Sequence, residues 1–163
     1  MPFPTTVPVN PAVAVEGMVA DNGVQDKQSK LAGATIPFGK FTVFHSGDTP
    51  DQKVKLPASS AEVTAQGAGF SVFDPQQGYL AAGQYVSGDM MPVLRAGRIW
   101  VKTEESVTPA DPVFVRYADG TVTGNNGGVR KSADTSTAVA LPNCRFLTTA
   151  SANGLVLLQV NNP

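Results

Sequence analysis

A chain of 163 residues is long enough for one domain with a true apolar core, or for one domain plus an arm. Its formal charge of −1 comes from 12 basic and 13 acidic side chains scattered without runs, which excludes the clustered Lys and Arg of a nucleic-acid surface or a polybasic membrane patch. Charged residues are 15% of the chain, against roughly 25% in soluble domains, while 16 Gly and 13 Pro among many Val and Thr favour β-structure with frequent turns.

The chain opens MPFPTTVPVNPAVAV, with prolines at positions 2, 4, 8 and 11. Proline removes a backbone donor and fixes φ, so this stretch is neither a helix nor a central strand. Phe3, Val7, Val9 and Val13 between the prolines suit an extended arm, residues 1–15, laid on another surface. Residues 16–163 are then expected to form a single β-sandwich domain. Strand signals recur weakly at 12–20, clearly in KFTVFH at 40–45, and again at 61–65, 68–73, 79–86 and 91–95. The one helix candidate is SSAEVTAQ at 59–66, ended by Gly67 and Gly69.

In the second half, Ala96-Gly97 reads as a two-residue hairpin loop joining 92–95 to 98–103. Asp119-Gly120 reads as a type I′ turn joining 112–118 to 121–123, and Asn153-Gly154 joins 145–151 to 155–160 in the same way. Turns at this spacing without helical periodicity predict an antiparallel sandwich or barrel. In the strand at 98–103, alternation puts Ile99 and Val101 inside and Arg98, Trp100 and Lys102 outside. The single tryptophan, flanked by two cations, is the residue type that dominates contact surfaces. LVLLQV at 155–160 is apolar on both faces and predicts a strand covered on each side.

The chemical inventory is thin. His45 is the only histidine, and FHSGD reads better as a polar turn than as a general base beside Asp48. Cys144 is the only cysteine, so no intrachain disulfide is expected, and it reads as a buried small hydrophobe. GNNGGVRK at 124–131 lacks phosphate-loop spacing and suggests a mobile loop or hairpin tip. Glu104 and Glu105 should point to opposite faces of a strand. Asp48, Asp51, Asp74, Asp89 and Asp111 sit near Gly or Pro, where Asp is a turn residue. No catalytic residue, cofactor or metal site is predicted. There is no apolar run of ~18 residues and no basic start with an apolar h-region, so a reducing cytosol is the expected site of synthesis.

The order LRAGRIWVKTEESVTPADPVFVRYADGTVTG, a short Gly-rich loop and NCRFLTTASANGLVLLQV resembles the cement, or decoration, proteins of tailed-bacteriophage heads. The resemblance rests on Gly97-Arg98-Ile99-Trp100-Val101, on the run from Pro112 to Val115 followed by Asp119-Gly120, and on Arg145-Phe146-Leu147-Thr148 with Gly154, Leu155 and Val160. KLPASSAEVTAQGAGFSVFD matches more loosely, and the likeness covers most of 50–160.

The resemblance implies a jelly-roll-like sandwich, made in the host bacterial cytoplasm, that binds the outside of a capsid as a small oligomer. The implied partners are the major capsid protein and further copies of this chain, with a dimer favoured over a trimer. Phe3, Val7, Val9, Val13, Arg98, Trp100 and Lys102 are the candidate contacts. The runner-up is a carbohydrate- or receptor-binding module in which Trp100, Tyr79, Tyr85 and Tyr117 stack on sugar rings. A small β-barrel enzyme comes third, for want of convergent polar groups.

Overall fold

The computed structural model describes residues 14–20, 23–45, 52–76 and 83–161. The candidate arm contacts Phe3, Val7, Val9 and Val13, with Tyr79, Asp48 and Asp51, lie outside the described residues. The described residues are built mostly from strands. β1 (Asp26–Ala32), β3 (Phe41–Phe44), β4 (Lys53–Lys55), β5 (Gly67–Ser71) and β7 (Met90–Lys102) close on themselves in the order β1-β4-β3-β5-β7, with β7 returning to β1. Closure removes sheet edges, and with them the unpaired backbone groups that would otherwise need covering. The all-β barrel expectation holds. One detail departs from it, because β1 and β4 run parallel, Leu31 beside Lys53 and Ala32 beside Val54.

β12 (Leu155–Asn161) extends the sheet beyond the ring by pairing with the second half of β7, and β11 (Arg145–Phe146) pairs with β12. A smaller sheet sets β8 (Phe114–Arg116) between β9 (Val129–Arg130) and β10 (Ala138–Ala140). β2 (Ile36–Pro37) pairs with β6 (Gln84–Tyr85). The helix α1 (Ser60–Gln66) is capped by Ser59, whose hydroxyl accepts from the Glu62 N–H, a contact worth about 1 kcal/mol. It buries Val63 against the core, so 61–65 is helix and not strand.

β7 organises the interior. The sequence places a hairpin at Ala96-Gly97, but the chain runs straight through as one strand of 13 residues. Gly97 adopts φ 134, which favours glycine, and the register against β1 slips between Asp26 and Lys27. This bulge shifts the alternation by one residue. Met91 and Val93 therefore face one apolar cluster with Ile36, Phe38 and Tyr85. Leu94, Ile99 and Val101 face the larger cluster with Phe41, Phe70, Phe146 and Leu158.

Two further turn readings change. Asp119-Gly120 joins no hairpin, because β8 takes its partners from 129–130 and 138–140. The Asp119 side chain instead accepts from the Gly124 N–H. At 151–154 the hairpin forms as expected, but Asn153, at φ 61, supplies the left-handed residue, and the Gly154 N–H closes on the Ser151 carbonyl at 2.9 Å. In β12, Val156, Leu158 and Val160 are buried and the alternate residues only partly so; its second face is half-covered.

Candidate contact face

The outer side of the β7–β12 pair collects the described candidate residues. Cross-strand register sets Lys102 opposite Leu155, Trp100 opposite Leu157 and Arg98 opposite Gln159. Directly opposed side chains on an antiparallel pair touch, and the Arg98 Nε donates to Gln159 Oε1 at 3.3 Å. Arg98 and Lys102 are exposed, Trp100 is half-buried, and Ile99 and Val101 between them are fully buried. The inside–outside reading of this strand is therefore correct.

Residues 14–20 line the other edge of the same segment. Gly17 N–H donates to the Trp100 carbonyl at 2.7 Å, the Trp100 N–H to Met18 at 2.9 Å, and the Ala20 N–H to Arg98 at 3.0 Å. Val19 joins the larger core from this side. Glu16 ends the strip, 3.9 Å from Lys102 and 3.2 Å from Lys40. The face thus presents an indole and a leucine between two cations, on a three-stranded ribbon whose underside is core.

The other half of the polar chemistry is buried, and the sequence reading missed it. Arg116 is fully buried, yet each nitrogen of its guanidinium has a partner. Nε and Nη2 donate to Glu104 at 2.8 Å each, Nη2 to Asp134 at 2.6 Å, and Nη1 to the Ala118 carbonyl and Thr137 hydroxyl at 3.1 and 3.2 Å. Arg130 donates to Glu104 at 3.1 Å, lies 2.7 Å from Asp134 and donates to Glu105 at 3.0 Å. Glu104 and Glu105 lie just past the end of β7 and both reach Arg130, so they do not point apart. The hydrogen bond from Arg116, with others from Thr121, holds Asp134 well below the usual carboxylate range.

Asp134, Thr135 and Ser136 have φ 44, 55 and 72, a left-handed run that costs about 1–2 kcal/mol per residue. The Thr137 and Ala138 N–H groups both close on the Ala133 carbonyl across it. A cue was present in the sequence: an arginine directly follows a buried valine at the end of both β8 and β9. Its meaning depended on acids far away along the chain.

The remaining candidates resolve as follows. The Gly-rich loop is packed: Gly127, Gly128, Val129 and Arg130 are buried, and Gly127 bonds to both Arg116 and Phe41. Its second half is therefore packed against the body of the chain and is not a free hairpin tip. Cys144 packs on the larger core, and burial pushes its thiol up to about 11, which keeps it protonated and a poor nucleophile at neutral pH. Asp74, Asp89 and Asp111 act as turn residues, accepting from Gln76, Val86 and Thr108 N–H groups. Tyr85 is fully buried with its hydroxyl on the Val72 carbonyl at 2.6 Å, so its ring offers no surface for stacking, and the Tyr117 hydroxyl donates to the Ser136 carbonyl. Among the described residues no group of three or more His, Cys, Asp or Glu is placed to hold a metal, and no helix is long and apolar enough to cross a membrane.

A family described as "Structural cement protein (E217 gp24/Pam3 gp6)" matches residues 3–161. Among solved structures, a chain from the capsid of Myoviridae phage XM1 superposes with a TM-score of 0.73 at 20% identity, over 99% of this chain and 98% of that one. The N base of head fiber gp8.5 from bacteriophage phi29 gives a TM-score of 0.48 at 14% identity, over 84% and 94%. No curated protein sequence matches the chain.

Proposed function

The chain belongs to the phage structural cement protein family, and from that premise we propose that it binds the outer surface of the capsid and bridges neighbouring major capsid protein subunits. The observation that carries the contact assignment is the strip of Arg98, Trp100 and Lys102, held outward on a strand whose alternate residues are locked in the core. A half-exposed tryptophan between cations, backed by rigid sheet, is a surface built for burial against a partner. It needs little ordering on binding, because the backbone beneath it is already fixed. Phe3, Val7, Val9 and Val13 add a second contact as an arm, and residues 16–163 act as one domain. Copies pair as a symmetric dimer, so that modest single contacts add through avidity.

The test is co-sedimentation of purified chain with phage heads stripped of cement protein. Trp100→Ala should weaken binding by roughly 30-fold, the ~2 kcal/mol typical of a central anchor, while the circular dichroism stays that of the parent. Deleting residues 1–12 should weaken it separately. Undiminished binding by both variants refutes the contact assignment, and absence of binding by the parent chain refutes the capsid role.

A further inference from the structure

We propose that Lys40 and Asn125 become joined by an intramolecular isopeptide bond, formed by the chain itself without a cofactor. The groups converge from four separate places: Glu16 in the edge segment, Lys40 before β3, Glu104 after β7, and Asn125 in the Gly-rich loop. Lys40 Nζ lies 2.8 Å from Asn125 Oδ1, so the amide carbon is one covalent bond beyond a hydrogen-bond contact. On its other side the Asn125 Nδ2 donates to Glu104 Oε1 at 2.6 Å. These two partners fix the amide's orientation, since a flip would set NH2 against an ammonium and oxygen against a carboxylate.

Glu16 Oε1 stands 3.2 Å from Lys40 Nζ, and this oxygen is buried with no hydrogen bond of its own. The Lys40 side chain is 12% exposed and that of Glu104, behind the amide, 3%, while Asn125 itself is half-buried. Gly128 makes the arrangement possible: a Cβ there would collide with the Asn125 amide nitrogen. The run GNNGG thereby has a reason that neither a turn nor a phosphate loop supplies.

The chemistry balances within the chain. The Glu16 carboxylate takes a proton from the Lys40 ammonium, and the freed amine attacks Asn125 Cγ. Collapse of the tetrahedral adduct restores the carbonyl and expels Nδ2, which Glu104 holds in line. Of the three ammonium protons, one stays on the new amide nitrogen, one passes from the attacking nitrogen to Nδ2 so that it departs as ammonia, and the one held on Glu16 then converts that ammonia to an ammonium ion. Both carboxylates end as they began, and nothing is oxidised or reduced. Proximity supplies the drive, because two groups held in contact react with a very high effective concentration. The product ties β3 to the loop between β8 and β9, a link between the barrel and the smaller sheet that no unfolding force short of bond rupture opens.

The test is independent of capsid binding. The full chain is measured by intact mass under denaturing conditions, digested with trypsin, and compared with Lys40→Arg. The expected result is a parent one ammonia lighter than its sequence, a branched peptide joining Lys40 to Asn125, and a Lys40→Arg protein of full mass. Glu16→Gln should slow linkage on the order of a hundredfold, the usual worth of a positioned base. A parent at full mass after prolonged incubation overturns the proposal, leaving only a hydrogen bond. So does an ammonia loss that persists in Lys40→Arg, which arises from a succinimide at an Asn-Gly step. Peptide mapping of the parent decides the matter even if the variant fails to fold.

Discussion

Replacing Arg116 with Met keeps the volume of the site while removing every charge-assisted bond the guanidinium makes. Glu104 and Asp134, with side chains only 3% and 5% exposed, are left to share Arg130 with Glu105. Removing one partner of a buried ionic cluster costs about 3–5 kcal/mol, because the stranded charge is not rehydrated. With a urea slope of ~2 kcal/mol/M, the unfolding midpoint should fall by roughly 2 M. The shift should persist in added salt, since screening acts weakly on buried pairs. Replacing Glu104 with Leu in the same protein should recover part of the loss, as Arg130 then keeps Asp134 and Glu105 as partners while the half-buried Asn125 amide gives up its acceptor. A loss under ~1 kcal/mol for Arg116→Met, the range of a solvated surface pair, would refute the reasoning. So would a loss that deepens when Glu104 is also removed.

Thr135 is exposed at φ 55, so Thr135→Gly should stabilise the protein by about 1 kcal/mol, seen as a rise in thermal midpoint; no change would mean the left-handed run carries no strain. Arg116 holds the Asp134 carboxyl low, and at Glu105 the bonds from Ser132, Lys131 and Arg130 outweigh burial, which pushes the other way. Both depressed groups contribute stability above the ordinary carboxylate range near pH 4, and that stability is lost as pH falls through their folded values. Urea midpoints should accordingly be flat from pH 8 to about 5 and drop below ~4, with a shallower drop in Glu105→Gln. Because burial raises the Cys144 thiol to about 11, a thiol reagent at neutral pH should modify it much more slowly in the native chain than after denaturant is added; equal rates would contradict its packing against the core.

What was legible in the sequence follows from where the determining forces act. β3, β12 and the outer half of β7 announce themselves because each carries apolar side chains at strand spacing within a few residues. The capped helix is equally local, since Ser59 and Glu62 are three residues apart. β1, reading DKQSKLA, is buried only at its last residue, so no apolar pattern marks it, and its pairing with β4 and β7 is decided by distant partners. Gly97 reads as a turn because positive φ serves hairpins and bulges alike; only the strands on either side of β7 distinguish them. The pairing within the arginine network could not be read for a related reason. Glu104 and Arg130 are 26 residues apart, and neither carries a local sign of the other. The contact face fared better, because alternation alone separates Arg98, Trp100 and Lys102 from Ile99 and Val101.

The uninterrupted course of β7 has a mechanical consequence. Its first half is a stave of the closed ring, paired with β1 from Met90 to Ala96, and its second half carries Trp100 beside β12. A pull along this strand loads those ladders lengthwise, so their bonds must slide together and none can be peeled away singly. A hairpin at Ala96-Gly97 would instead have set a hinge between the gripping end and the ring, and tension there would have opened the ladders one rung at a time.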